Sequence, residues 1–96
     1  MMMRIVWDQH KANALSNDET RGHISFEDCV IAIDEGRLLD DIPNPVKQYA
    51  HQRMLVLEIN AYAYVVPYVE TEDEIFLKTV FPSRKHTAIY ITGMKP

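Results

Sequence analysis

The stretch from residue 52 to residue 81, "QRMLVLEINAYAYVVPYVETEDEIFLKTVF", constrains this chain more than any other. It holds three runs rich in aromatic and β-branched residues, QRMLVLEI, YAYVVPYV and IFLKTVF, separated by Asn60-Ala61 and by the acidic turn ETEDE. Such residues suit a pleated, half-buried surface, and Asn60-Ala61 is a tight-turn signal. Strands joined by so few residues run antiparallel, because a parallel return needs a crossover of a dozen residues or more. Pro67 has no N–H to give to a ladder, so it marks a bulge or the end of the middle strand.

Two helices are predicted ahead of the sheet. In HISFEDCVIAIDEG, Ser25 caps the first turn and Asp28 completes a capping box. Phe26, Cys29, Val30 and Ile33 form one apolar stripe, and Gly36 stands where a left-handed C-cap is needed. Earlier, Asp8 caps a short, partly exposed helix in QHKANALSNDETR that frays near Asn17. RIVW reads as a short strand or an extended lead-in. RLLDDIPNPVKQYA reads as a connector, because Pro43 and Pro45 prevent a regular helix. The expected fold is α+β: two N-terminal helices packed on an antiparallel sheet of three to four strands, in a single domain over residues 1–96.

The chain of 96 residues carries 10 Lys and Arg against 14 Asp and Glu, a net charge of -4. That balance argues against broad, nonspecific nucleic-acid affinity but allows a local basic cleft. The distribution is uneven. Acidic residues crowd positions 18–35 and 70–74, whereas past residue 46 the cations are Lys47, Arg53, Lys78, Arg84, Lys85 and Lys95. One cysteine, Cys29, excludes an intramolecular disulfide, and no apolar run approaches the ~18 residues of a membrane span. MMMRIVWD lacks the regions of a signal peptide, so a cytoplasmic location is expected.

Few residues are candidates for chemistry. Lys78 alternates with Phe76 on one face of the last strand. It reads either as a point charge for phosphate or as a solvated lysine. Arg84 and Lys85 leave the strand directly after Pro82, and an arginine fork there suits phosphate, although a solubilising basic turn is the plainer reading. His86 reads either as a proton donor, since an unperturbed imidazole titrates at ~6.5, or more plainly as an exposed histidine. His51 and Arg53 open the first long strand, where Arg53 converges with Arg84 if the strands pair closely. Tyr62, Tyr64 and Tyr68 share a face and read as core or interface, and Cys29 reads as a buried small residue. No Cys/His pair has metal-ligand spacing, and no phosphate loop, nucleophile elbow or dinucleotide fingerprint is present.

VWDQHK, RGHISFED, HQR and LKTVFPSRKHTAIY together resemble BrnT-type toxins, small ribonucleases of bacterial type II toxin–antitoxin systems with a RelE-like fold. Trp7, Asp8 and Lys11 match the family's Trp-Asp-x-x-Lys block, and Ile24, Ser25, Phe26 and Glu27 match its Gly-Ile-Ser-Phe-Glu block. Arg53 falls near the arginine before the long strands. Lys78 takes the place of a strand arginine, and Arg84, Lys85, Thr87 and Tyr90 match the basic block and the tyrosine behind it. The departures are Gly22-His23 where the family has His-Gly, SNDET in the first helix region, and FPSRK in the basic block.

The resemblance implies an endoribonuclease that needs no metal and no cofactor. A ribose 2′-hydroxyl attacks the adjacent phosphate, Arg84 and Lys78 stabilise the developing charge, and Arg53 positions the phosphate. His51 or Tyr90 transfers a proton, while Trp7, Lys11, Lys85 and His86 contact RNA. It also implies a cognate antitoxin with a DNA-binding domain, which carries the complex to operator DNA. The alternative is a non-catalytic protein-interaction domain on the same fold, and a homodimer is a third, lesser reading.

Overall fold

The computed structural model describes residues 4–16 and 24–93. The chain runs β1 (Arg4–Trp7), α1 (Gln9–Ser16), α2 (Phe26–Asp34), β2 (Leu38–Pro43), a single 3₁₀ turn at Lys47–Tyr49, β3 (Arg53–Ile59), β4 (Tyr62–Glu70), β5 (Glu74–Leu77), β6 (Phe81–Pro82) and α3 (Arg84–Tyr90). The strands form one mixed sheet in the order β1-β5-β4-β3-β2, with β6 added beside β4. The α+β class holds, with more strands than expected. β1 is a true strand and pairs with β5 in parallel, so the sheet is mixed rather than antiparallel. The third helix, α3, is an addition to the expected pair, and it comes at the C-terminal end.

Local chemistry sets the elements much as the sequence predicts. The Ser25 hydroxyl accepts from Asp28 N–H at 3.1 Å, and Ser25 N–H donates to the Asp28 carboxylate at 2.9 Å, closing the capping box of α2. Gly36, at φ 77°, ends α2 in the left-handed region. There Gly36 N–H reaches the Ile33 carbonyl and Arg37 N–H the Ala32 carbonyl, the paired bonds of a Schellman stop. Asp8 caps α1 by accepting from His10 N–H at 2.8 Å. Of the SNDET departure only Ser16 is described, as the last residue of α1; the rest of it, the fraying expected near Asn17 and Gly22-His23 lie outside the described residues. Asn60 and Ala61, at φ 55° and 62°, build the left-handed turn between β3 and β4.

Alternation sorts the sheet into two faces. Leu55, Leu57 and Ile59 of β3 oppose Val66, Tyr64 and Tyr62 of β4. With Tyr68 and Leu77 they meet Leu15, Phe26, Cys29 and Ala32 of the first two helices in one apolar core. Burying a side chain of this size stabilises by roughly 1.5–3 kcal/mol. The tyrosines therefore serve the core, and burial pushes the Cys29 thiol up to about 12, with Asp28 adding to the effect, so Cys29 is inert at neutral pH. Trp7, a candidate RNA contact, is half-buried and stacks on Phe26 at 5.5 Å, which ties it to this core.

Residues 37–50 are not a plain connector. Leu38–Pro43 forms an edge strand against β3, where Pro43 has no further neighbour to disappoint. The neighbouring aspartates of β2 point to opposite faces, and each accepts from one tyrosine hydroxyl. Tyr68 of β4 donates to Asp41 at 2.9 Å, and Tyr90 of α3 donates to Asp40. Because β3 lies between β2 and β4, the Tyr90–Asp40 bond requires α3 to cross β3 on the face opposite α1 and α2. Met54, Val56, Ala63 and Val65 are accordingly buried on that second face.

Candidate functional site

The last part of the sheet is not one continuous strand. β4 pairs Tyr68 with Leu77 and Val65 with Phe81, so Val66 and Pro67 face the three residues Lys78, Thr79 and Val80. This is a β-bulge, and Pro67 accounts for its place. The Pro67 carbonyl accepts from Lys78 N–H at 2.8 Å, but Pro67 has no N–H to return, and the ladder breaks there. The extra residue resets the alternation expected over IFLKTVF. Val80 turns into the helix-side core, while Lys78, Thr79 and Phe81 all line a cavity on the second face.

That cavity has a volume of about 520 Å³. Met54, Val65 and Pro67 form its sheet floor, and Tyr49, Val46 and Phe81 bound it with apolar surface. Its polar lining includes Lys11 from α1, Lys78 from the bulge, Gln52, and Ser83 with His86 from the start of α3. Among the described residues no aspartate or glutamate lines it. The Lys78 ammonium also sits 5.1 Å from the centre of the Phe76 ring, a cation–π contact that steadies it on this face.

Ser83 organises the α3 end of the cavity. Its hydroxyl accepts from His86 N–H at 3.1 Å and lies 2.6 Å from His86 Nδ1. Its backbone N–H donates to the Ala63 carbonyl at 2.9 Å, and the Thr87 hydroxyl, which accepts from Ala63 N–H at 2.9 Å, fastens the helix to β4. The His86 ring stacks parallel to Tyr90 at 6.2 Å. Burial, helped by the Lys85 charge, holds the His86 imidazole below its ordinary value, while Asp40 pulls it the other way. With Nδ1 engaged by Ser83, Nε2 is the ring nitrogen left for a ligand.

The candidate residues are thus divided. Lys11, Lys78 and His86 meet at the cavity. Arg84 and Lys85 are exposed on the first turn of α3, beside His86 and outside the lining. Tyr90 is anchored to Asp40, which holds its hydroxyl above the ordinary tyrosine range. His51 is exposed between the 3₁₀ turn and β3 and does not line the cavity. Arg53 does not converge with Arg84. It shares the face of Tyr68, and its guanidinium donates to the Asp41 carboxylate at 3.0 Å and to the Asp41 carbonyl at 2.8 Å.

Gln52, Tyr49, Ser83 and Asp40 belong to this neighbourhood but carry no sequence signal of a site, apart from the Ser-x-x-His spacing that makes Ser83 a helix cap. Comparison with protein-family models, with curated proteins and with solved structures finds no match to this chain.

Proposed function

We propose that this protein is an RNA-cleaving toxin of the BrnT kind on a RelE-like fold, acting from the second face of its sheet. The observation that carries the reading is the meeting of Lys11, Lys78 and His86 in one cavity that no carboxylate lines among the described residues, beside the exposed Arg84 and Lys85. An RNA phosphate is drawn to such a spot against the net charge of the chain, and binding confined to one cleft gives a modest salt dependence.

The chemistry asked of these groups is transesterification within the RNA. The ribose 2′-oxygen forms a bond to phosphorus as its proton passes to His86 Nε2, and the bond from phosphorus to the 5′-oxygen breaks. The imidazolium returns the proton to that leaving oxygen, so the products are a 2′,3′-cyclic phosphate and a 5′-hydroxyl, with no water consumed. The Lys78 ammonium stabilises charge on the phosphoryl oxygens, and Arg84 holds the neighbouring phosphate. Ser83 suits His86 to both halves of the transfer. Its hydroxyl oxygen accepts from Nδ1–H, which leaves Nε2 bare to take the proton and holds the ring in place while it is the imidazolium.

A DNA-binding antitoxin belongs to the same proposal. It neutralises the toxin by covering the cavity side, where Ile89, Tyr49 and Val46 are exposed, and operator DNA is reached only through it. Cytoplasmic action fits, and among the described residues no helix is long and apolar enough to cross a membrane. These exposed apolar residues also favour the second reading, a non-catalytic interaction domain. Induced expression in a bacterium separates the two. The nuclease reading expects growth arrest with the wild type that Lys78→Ala and His86→Ala abolish. A harmless wild type with intact total RNA contradicts it.

A further inference from the structure

Gln52 is a polar side chain of the cavity to which transesterification gives no task. The residue is only 8% exposed. Its backbone is fixed at both ends: Gln52 N–H donates to the Tyr49 carbonyl at 2.8 Å, and its carbonyl accepts from Asn44 N–H at 3.2 Å. The carboxamide lines the cavity and has no hydrogen-bond partner among the described residues. The amide is open to solvent through the cavity, so a ligand that fills the cavity and strips that water loses on the order of 1–3 kcal/mol unless it both donates to the amide and accepts from it.

The rest of the cavity narrows what that partner is. The floor of Met54, Val65 and Pro67, with the Tyr49 and Phe81 rings, takes an apolar body of ring size. The Lys11 and Lys78 ammoniums, opposed by no lining carboxylate among the described residues, take an anion. A bare phosphate satisfies the lysines alone. An aromatic carboxylate satisfies the lysines and the floor but leaves the carboxamide unpaired. A heteroaromatic ring with adjacent donor and acceptor atoms, carrying a phosphate, satisfies all three, since a carboxamide pairs bidentately with such an edge.

We infer that the cavity binds one nucleotide unit, its base on the apolar floor with a polar edge at Gln52 and its phosphate at Lys11 and Lys78. The inference rests on the cavity being the substrate side of the proposed function and adds that Gln52 sets a base preference there. The unit comes either from a free nucleoside monophosphate or from a nucleotide within an RNA strand.

Calorimetric titration of the full chain tests this. The probes are the four nucleoside 5′-monophosphates, uridine and guanosine, ribose 5-phosphate, and single-stranded RNA tetramers. At least one monophosphate or tetramer is expected to bind about tenfold more tightly than ribose 5-phosphate and than its own nucleoside. Lys78→Met should weaken every phosphate-bearing ligand alike, whereas Gln52→Leu should level the differences among bases by about tenfold. Should Gln52→Leu fail to fold by circular dichroism, Gln52→Glu serves, since it reverses the demand for donors at the base edge.

Binding by tetramers but not monophosphates assigns the unit to RNA, and binding by both assigns it to either source. No binding by either class, equal binding of ribose 5-phosphate, or an unchanged base preference in the Gln52 variant overturns the inference. If nucleotides bind as described and RNA is never cleaved, the inference stands and the nuclease proposal falls. RNA cleavage by a chain whose Gln52 variants keep the same base preference gives the reverse.

Discussion

The two faces of the sheet solve different problems with the same strands. Under α1 and α2 the face is closed, and Leu57, Phe26, Cys29 and Ala32 are fully buried in one apolar core. On the other face α3 crosses from β4 to β2 and leaves an open cavity whose lining mixes Met54 and Val65 with Lys78, Gln52 and His86. The neighbours Asp40 and Asp41 express the contrast at one place. Asp41 takes the hydroxyl of a buried tyrosine and a guanidinium, whereas Asp40 takes the hydroxyl of an exposed tyrosine on the helix that roofs the cavity. One face is closed into the main core, and the other, although it buries Val56, Ala63 and Val65, keeps the open cavity of the proposed site.

Core truncation breaks this comparison most sharply. Leu57→Ala removes a fully buried side chain beneath α2 and should cost about 2–5 kcal/mol by chemical denaturation. Met54→Ala, on the cavity floor, should cost near the low end, about 2 kcal/mol, because the open side already lacks packing partners. Equal losses would mean that the two faces are packed alike.

The two helix caps sharpen it next. Ser25→Ala and Ser83→Ala should each cost about 1 kcal/mol. Only Ser83→Ala should also move the titration of His86, measured by NMR, because only Ser83 touches an imidazole. A smaller effect tests the hinge shared by both faces. Ala61 sits at φ 62°, where a side chain is strained, so Ala61→Gly should stabilise by about 0.5–1 kcal/mol and leave the His86 titration unchanged.

The smallest effect is the dependence on pH. His86 is held below its ordinary value in the folded chain, so the unfolded chain takes up that proton first. Stability from this group is whole above the unfolded value of ~6.5, falls as pH drops through it, and levels off below the folded pKa. Denaturation at a series of pH values should show this fall in the wild type and lose the His86 share of it in His86→Gln. Asp40→Asn should push His86 lower still, and Lys85→Gln should let it rise, since these neighbours act with opposite sign.

How much of this was legible follows from how local each cause is. The capping box of α2, the Gly36 stop, the β3–β4 turn and the break at Pro67 all depend on residues close in sequence, and all are readable there. The parallel pairing of β1 with β5 joins residues some seventy positions apart, as in Arg4 opposite Glu74, and no local pattern announces it. β2 hides because Asp40, Asp41 and Pro43 look like a connector until Tyr90, Tyr68, Arg53 and the sheet edge satisfy them. α3 hides because RKHTAIY follows a strand and contains β-branched residues. Its helix depends on the Ser83 cap and on Thr87 docking to Ala63. The site is legible as far as Lys78, Arg84, Lys85 and His86 go. Gln52 is not, because a glutamine opening a strand is ordinary until its burial is known.

The account stands on Lys78 and Arg53 having different tasks on opposite faces. Arg53 closes an ion pair with Asp41 that is substantially exposed and worth little to stability, and it is not part of the cavity lining although Gln52 and Met54 on either side of it are. Messenger RNA cleavage in a translating bacterial extract, followed by primer extension with purified wild type, Lys78→Ala and Arg53→Ala, compares them directly. The expected result is a loss of roughly 10²–10³-fold for Lys78→Ala with Arg53→Ala within about threefold of wild type. A silent Lys78→Ala beside an inactive, folded Arg53→Ala would move the active face to the other side of the sheet and contradict the account.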